Sequence, residues 1–134
     1  MRALIIEDYA DARDMYVLAL QTVGFEVDSA DTASKGLELA HQNAPAVAIV
    51  DVGLPGGVSG LDVVRELRRT AITADAIIVV LSALSGPGYK DSAEQAGCDI
   101  ALEKPCPPDE LLSVVVGLLR SRGRPTPTTL SRLK

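Results

Sequence analysis

The stretch "AVAIVDVGLPGG", residues 46–57, carries an apolar run straight into a carboxylate and then a turn. Ala46 to Val50 are all apolar, Asp51 follows, and Leu54-Pro55-Gly56-Gly57 bends the chain away. A short continuous apolar run bounded by turn residues suits a strand buried on both faces. Two uses are open to Asp51. It can bond the backbone of its own turn, or it can be a reactive group held where a rigid strand meets a loop.

Similar runs lie on either side, separated by helical patterns. "ALII" (3–6) and "AIIVVLS" (76–82) are expected to be buried strands, and "IAL" (100–102) a brief last one. "FEVDSA" (25–30) alternates, as a more exposed strand does. Apolar residues at 12, 15, 16, 19 and 23 have helical spacing, with Gly24 placed to end that helix. Thr32 is a candidate cap for a helix reaching about His41, and Ser59 with Asp62 marks another helix start. In that helix Leu61, Val64 and Leu67 mark the inner face, and Arg65, Arg68 and Arg69 the solvated one. A short helix over 88–96 is stopped by Gly97, and Pro108 opens a last helix to about Arg120. Strand and helix alternate five times, so the expected fold is α/β, a parallel sheet covered by helices on both faces.

Bulk composition fits one soluble domain of 134 residues, 47% apolar and 23% charged. Aromatics are 3%, so aliphatic residues must fill the core. No run is long enough for a membrane span, and the N-terminus lacks a signal-peptide pattern, so a cytoplasmic protein is expected. Residues 1–119 hold 18 acids against 8 bases, while Arg120–Lys134 holds five bases and no acid. An acidic body argues against a nucleic-acid surface on the fold. The tail, with Pro125 and Pro127, reads as a disordered extension. Cys98, Cys106 and the lone His41 lack the spacing of a zinc site. Both thiols are expected free and near the core, and His41 at an exposed helix end.

Ligands of open parallel sheets bind beyond the carboxyl ends of the strands. There the sequence sets Glu7 and Asp8 after strand one, Asp51 at the end of strand three, Ser82 at the end of strand four and Lys104 after strand five. Three converging carboxylates repel unless one stays protonated or a cation joins them. Hard oxygen donors with open positions favour Mg²⁺. A lysine and a hydroxyl facing that cation make room for a phosphate. No Gly-rich phosphate loop is present, so the phosphate is expected on a side chain, and carboxylates form aspartyl phosphates. Asp51, between the acid pair and the Ser82–Lys104 side, is the candidate acceptor. The competing possibility is that Glu7 and Asp8 only cap the first helix, which begins near Asp11 and Asp14.

With "IIED" (5–8), "IVDVGLP" (49–55), "VVLSA" (79–83) and "EKPC" (103–106) in this order and spacing, the chain resembles response-regulator receiver domains of bacterial two-component signalling. The resemblance implies a flavodoxin-like (βα)5 fold with strand order 2-1-3-4-5 over residues 1–121, leaving 122–134 as a basic tail or linker remnant, with no effector domain in this sequence. It implies Asp51 as phosphoacceptor for a histidine kinase or phosphotransfer protein. Asp8 would ligate Mg²⁺ directly, Glu7 through water, and Asp51 and the Gly53 carbonyl would complete the set. Ser82 would be the switch hydroxyl and Lys104 a phosphoryl ligand. Val52 and Ala83 would contact the phosphoryl group, Ala83 through its N–H. Pro105 matches the family's lysine–proline pair, often cis.

The implied protein is a switch rather than a true enzyme, read by an output partner on the face from strand four to the last helix, with a dimer open. It would bind neither membrane nor nucleic acid directly. The alternative is a phosphorylation-independent interaction module that retains the fold. A haloacid-dehalogenase-type phosphatase is disfavoured because Gly53 stands where that family has a second acid. Departures from the receiver pattern are Ala101 in place of an aromatic, Cys106 in place of a common Phe, a small residue at Gly53, and a "LPGGVSGLD" loop one residue longer. Tyr89, expected in a loop, is an alternative aromatic, with surface packing its plainer role.

Overall fold

The computed structural model describes residues 1–83 and 87–124. The strands are β1 (Arg2–Ile6), β2 (Glu26–Ala30), β3 (Val47–Asp51), β4 (Ile77–Ser82) and β5 (Ile100–Glu103). The helices are α1 (Ala10–Thr22), α2 (Ala33–Gln42), α3 (Gly60–Arg69), α4 (Pro87–Ala96) and α5 (Pro108–Ser121). The strands form one parallel sheet in the order β2-β1-β3-β4-β5, as expected.

Successive strand side chains point to opposite faces, so each apolar run feeds two cores. Ala3, Ile5, Val47, Ile49, Ile77 and Val79 pack against α1 and α5. Leu4, Ile6, Ala48, Val50, Ile78 and Val80 pack against α2, α3 and α4. This explains why β3 and β4 are apolar without alternation: every residue of both is buried. The edge strand β2 is mostly open and carries Glu26 and Asp28, both paired with Arg2. An edge bearing charge resists pairing with another chain.

The helix punctuation follows local chemistry. Thr32 Oγ1 accepts from the Lys35 N–H at 3.2 Å. Ser59 and Asp62 form a reciprocal capping box at the start of α3. Gly24 and Gly97, with φ of 104° and 115°, take the left-handed conformation after α1 and α4. Pro108 occupies the first turn of α5. Both cysteines are free and buried, and His41 is exposed in the last turn of α2.

One sequence expectation on α3 is extended and one corrected. Val63 joins Val64 and Leu67 in the buried core, and Leu61, half-buried, packs against it. Arg68 is not on a solvated face. Its guanidinium donates to the carbonyls of Gly97, Ala74 and Ala76 and pairs with Asp99 at 3.0 Å. Asp99 in turn accepts the Ile78 N–H at 2.7 Å and pairs with Arg122. The planar five-donor head of arginine suits such a junction, where several loop carbonyls need partners. The tail expected from residue 122 lies, from residue 125 on, outside the described residues.

Candidate functional site

Asp51 is the last residue of β3, and its backbone still lies within the ladder, opposite Leu81. Its side chain is 7% exposed. The chain then leaves the sheet through Val52 and Gly53, and Gly53 N–H donates back to Asp51 Oδ1 at 3.3 Å. The loop closes where Gly60 N–H meets the Val52 carbonyl at 3.1 Å. Gly60 packs directly on the end of β3: a Cβ there would sit 2.3 Å from the Asp51 carbonyl oxygen. The "GLPGG" segment thus turns the chain over a carboxylate that the sheet holds still.

The other expected residues arrive at the same edge. Glu7 follows β1, is 1% exposed, and continues the pairing with β2 through its N–H to the Ala30 carbonyl. Asp8 follows it and is exposed. Ser82, buried, ends β4. Lys104 follows β5, with its N–H on the Ser82 carbonyl at 2.7 Å, and a cis peptide joins it to Pro105. Lys104 Nζ lies 2.6 Å from Glu7 Oε1 and 3.3 Å from Asp51 Oδ1. Glu7, Asp8 and Asp51 each offer a carboxylate oxygen within 4.8 Å of the others. Asp51, Val52, Gly53, Ser82, Ala83 and Lys104 line one cavity of about 420 Å³. All eight expected residues therefore meet at one rim.

The charges there are interdependent. Burial, and after it hydrogen bonding to Asp51, raise the Glu7 pKa to about 7 against the opposing bond from Lys104. Burial would also raise Asp51, but the hydrogen bond with Glu7 and the charge of Lys104 outweigh it and hold Asp51 below its ordinary value. Burial works against the charged form of Lys104, yet its bonds to Glu7 and the charge of Asp51 raise its pKa. Two adjacent acids sharing one lysine thus split into one that ionises readily and one that keeps its proton near neutrality. The helix-capping alternative for Glu7 and Asp8 is not what the structure has. The cap of α1 is Tyr9, without a side-chain cap bond, and Glu7 only accepts the Tyr9 N–H at 3.3 Å.

The sequence reading missed two supports. Arg13 Nη1 donates to the Glu7 carbonyl at 3.0 Å, from one turn into α1. The buried hydroxyl of Tyr16 donates to the Cys106 carbonyl at 2.7 Å. The signal for Tyr16 was available in principle, since a buried phenol needs a polar partner. Tyr89 is also corrected: it lies in α4 rather than in a loop, and its hydroxyl is buried instead of packed on the surface.

Three carboxylates, a hydroxyl and a lysine thus gather at the carboxyl edge of a parallel 2-1-3-4-5 sheet, where open α/β sheets bind their ligands. The family model for the response regulator receiver domain matches residues 3–116, and the chain belongs to that family. It is 31% identical over 120 residues to the phosphate regulon transcriptional regulatory protein PhoB of Pseudomonas aeruginosa, covering 90% of this chain and 52% of that one. It is 36% identical over 123 residues to the DNA-binding dual master transcriptional regulator RpaA of Synechocystis, covering 92% and 51%. The chain spans about half the length of these curated relatives. Among solved structures, chemotaxis protein CheY4 of Vibrio cholerae superposes with a TM-score of 0.83 at 27% identity, covering 88% of this chain and 98% of that one. Among the described residues, no helix is long and apolar enough to cross a membrane.

Proposed function

We propose that this receiver domain is a phosphorylation-controlled switch whose acceptor is Asp51. A carboxylate oxygen of Asp51 attacks the phosphorus of a phosphohistidine on a histidine kinase or phosphotransfer protein. The P–O bond forms, the P–N bond breaks, and the imidazole leaves to take a proton. The observation that carries this reading is the seat of Asp51: rigid, buried, 3.3 Å from an ammonium, and beside two further acids.

Three hard oxygen donors within 4.8 Å suit Mg²⁺ far better than a softer ion. Asp8, Asp51 and the Gly53 carbonyl would hold it, with Glu7 acting through water. When bound, Mg²⁺ neutralises charge on the phosphoryl oxygens. The protein's own part is positioning and electrostatics. Lys104 takes one phosphoryl oxygen, Ser82 turns its hydroxyl to another, and the Ala83 N–H meets the group, with Val52 lining the same cavity while its own N–H stays on the Leu81 carbonyl. This draws Lys104 and Ser82 toward Asp51, biasing a two-state equilibrium that an output partner reads on the face from β4 to α5. Residues 1–121 would form the switch and 122–134 a basic tail, in a cytoplasmic protein open to dimerisation.

The test is incubation with acetyl phosphate and Mg²⁺, followed by intact mass and Phos-tag electrophoresis. Wild type should gain one phosphoryl group and Asp51→Asn none. Lys104→Ala should still be modified, but at least about tenfold more slowly than wild type, and should lose partner output. Phosphate taken up at this site by Asp51→Asn would remove the assignment. A wild-type chain that stays unmodified would favour an interaction module working without phosphate.

A further inference from the structure

We propose that Tyr16, on α1, is a positioning residue for Lys104, holding the lysine's loop through the carbonyl of Cys106. The inference rests on the reading of Lys104 as the phosphoryl ligand and adds the part that keeps it in place.

The argument begins with the composition of the loop. Lys104 is followed by Pro105, Cys106, Pro107 and Pro108. Proline has no N–H, so three of the four residues after the lysine cannot donate a backbone hydrogen bond. A loop of that kind has few ways to tie itself to the fold. On its upstream side it is fixed where the Lys104 N–H meets the Ser82 carbonyl at 2.7 Å. On its downstream side, α5 begins only at Pro108. Between these points the Tyr16 hydroxyl reaches the Cys106 carbonyl at 2.7 Å, a buried bond across 90 positions of sequence. The Cys106 side chain belongs to the same core as Tyr16, so shared burial adds to the bond between hydroxyl and carbonyl.

Packing alone does not hold this loop. A cavity of about 400 Å³, bordered by Tyr9, Met15, Tyr16, Lys104 and Pro105 among others, lies beside it. The loop therefore has room to shift on that side, and a directional bond is what opposes the shift. Lys104 must meet Asp51 at salt-bridge distance from a backbone two residues upstream of the tether. A displacement near 1 Å at a reacting group can cost up to about a hundredfold in rate.

Tyr16→Phe removes the hydroxyl and keeps the ring in the core. One carbonyl left without its donor costs only a fraction of a domain's stability, so the variant folds, which circular dichroism checks. Two readouts follow. Modification by acetyl phosphate with Mg²⁺, followed by mass, should slow about tenfold. Amide hydrogen exchange should quicken at Lys104 while Ile5 and Ile49, in β1 and β3, keep wild-type protection. A rate within about twofold of wild type, or exchange that quickens equally at all three amides, would overturn the proposal. A wild-type chain that takes up no phosphate would sink the acceptor reading of Asp51 instead, and the exchange readout would still decide whether Tyr16 tethers the loop.

Discussion

Lys104 sets its ammonium 2.6 Å from Glu7 Oε1, joining residues 97 positions apart. The lysine thus leans on the acid that keeps its proton near neutrality, rather than on the one proposed to react. A metal ion entering beside Glu7 must compete with that proton. Mg²⁺ affinity should therefore climb as pH rises toward about 7, where Glu7 ionises, and level off above it. The slope should approach about tenfold per pH unit at its steepest. The chain has no tryptophan, so calorimetry in two buffers of different ionisation enthalpy is the suitable measurement. Affinity that is flat across neutral pH, with no proton released, would show that Glu7 is already ionised.

The same pair sets the pH dependence of stability without metal. Glu7 has a folded pKa raised above its ordinary value of 4.5, so its contribution is full below that value and is lost as pH rises through about 7. Asp51 is lowered, so its contribution is present above its ordinary value and is lost only in acid. Between mildly acidic and mildly alkaline pH only the Glu7 loss operates. The urea midpoint should fall over that interval, and Glu7→Gln should flatten the fall. A wild-type midpoint that rises instead would contradict the burial of an ionising Glu7.

Gly60 offers a steric test of how firmly Asp51 is held. A methyl group there would press on backbone, 2.3 Å from the Asp51 carbonyl oxygen and 2.7 Å from Val52 Cα. Backbone cannot swing aside as a side-chain tip can. Gly60→Ala should cost about 1–3 kcal/mol and slow acetyl-phosphate modification by displacing the strand end. Gly53→Ala is the control, since a Cβ there meets nothing within 4 Å. Its stability should stay within about 0.5 kcal/mol of wild type. Equal behaviour of the two variants in urea would mean that the β3–α3 loop yields freely.

The strands and helices were legible because their signals are local. Continuous apolar runs reveal strands covered on both faces, and Thr32, Ser59, Gly24, Gly97 and Pro108 act within a few residues of themselves. The rim cluster was legible because a parallel sheet brings its strand ends to one edge, so position along each strand was enough. Arg68, Tyr16 and Tyr89 were not legible. The partners of Arg68 on Gly97 and Asp99 lie 29 and 31 positions away, and that of Tyr16 lies 90 away. A helix pattern shows which face a residue occupies, not whether a loop folds back over that face. Arg68 looked solvated because nothing local announces the α3–β4 and α4–β5 turns arching over it.

Arg68 should accordingly matter more than a surface arginine. It satisfies three loop carbonyls and pairs with Asp99, itself 11% exposed in its side chain. Arg68→Ala leaves three carbonyls without their donor and takes from Asp99 one of its two arginines, Arg122 remaining, a change that should cost about 1–3 kcal/mol. Arg68→Lys should recover less than half of the loss, because an ammonium cannot span the same fork of acceptors. Arg65→Ala, on the exposed side, should cost less than about 1 kcal/mol. Urea unfolding of the three variants decides the matter, and a loss for Arg68→Ala no greater than that for Arg65→Ala would return Arg68 to the solvated face.

Tyr89 gives the opposite expectation. Its hydroxyl is buried in α4 and finds no hydrogen-bond partner among the described residues. Burial raises its pKa, and the Ser82 hydroxyl opposes the rise from nearby without meeting hydrogen-bond geometry. A buried hydroxyl without a bond has lost water and gained nothing in return, which costs about 1–3 kcal/mol. Removing it while keeping the ring should relieve part of that cost. Tyr89→Phe is expected to be neutral or to stabilise the unphosphorylated chain by up to about 1 kcal/mol, read from urea midpoints at constant slope. A clear loss of stability would mean that the phenol is already bonded in solution, with the neighbouring Ser82 hydroxyl the first partner to examine through the Ser82→Ala background.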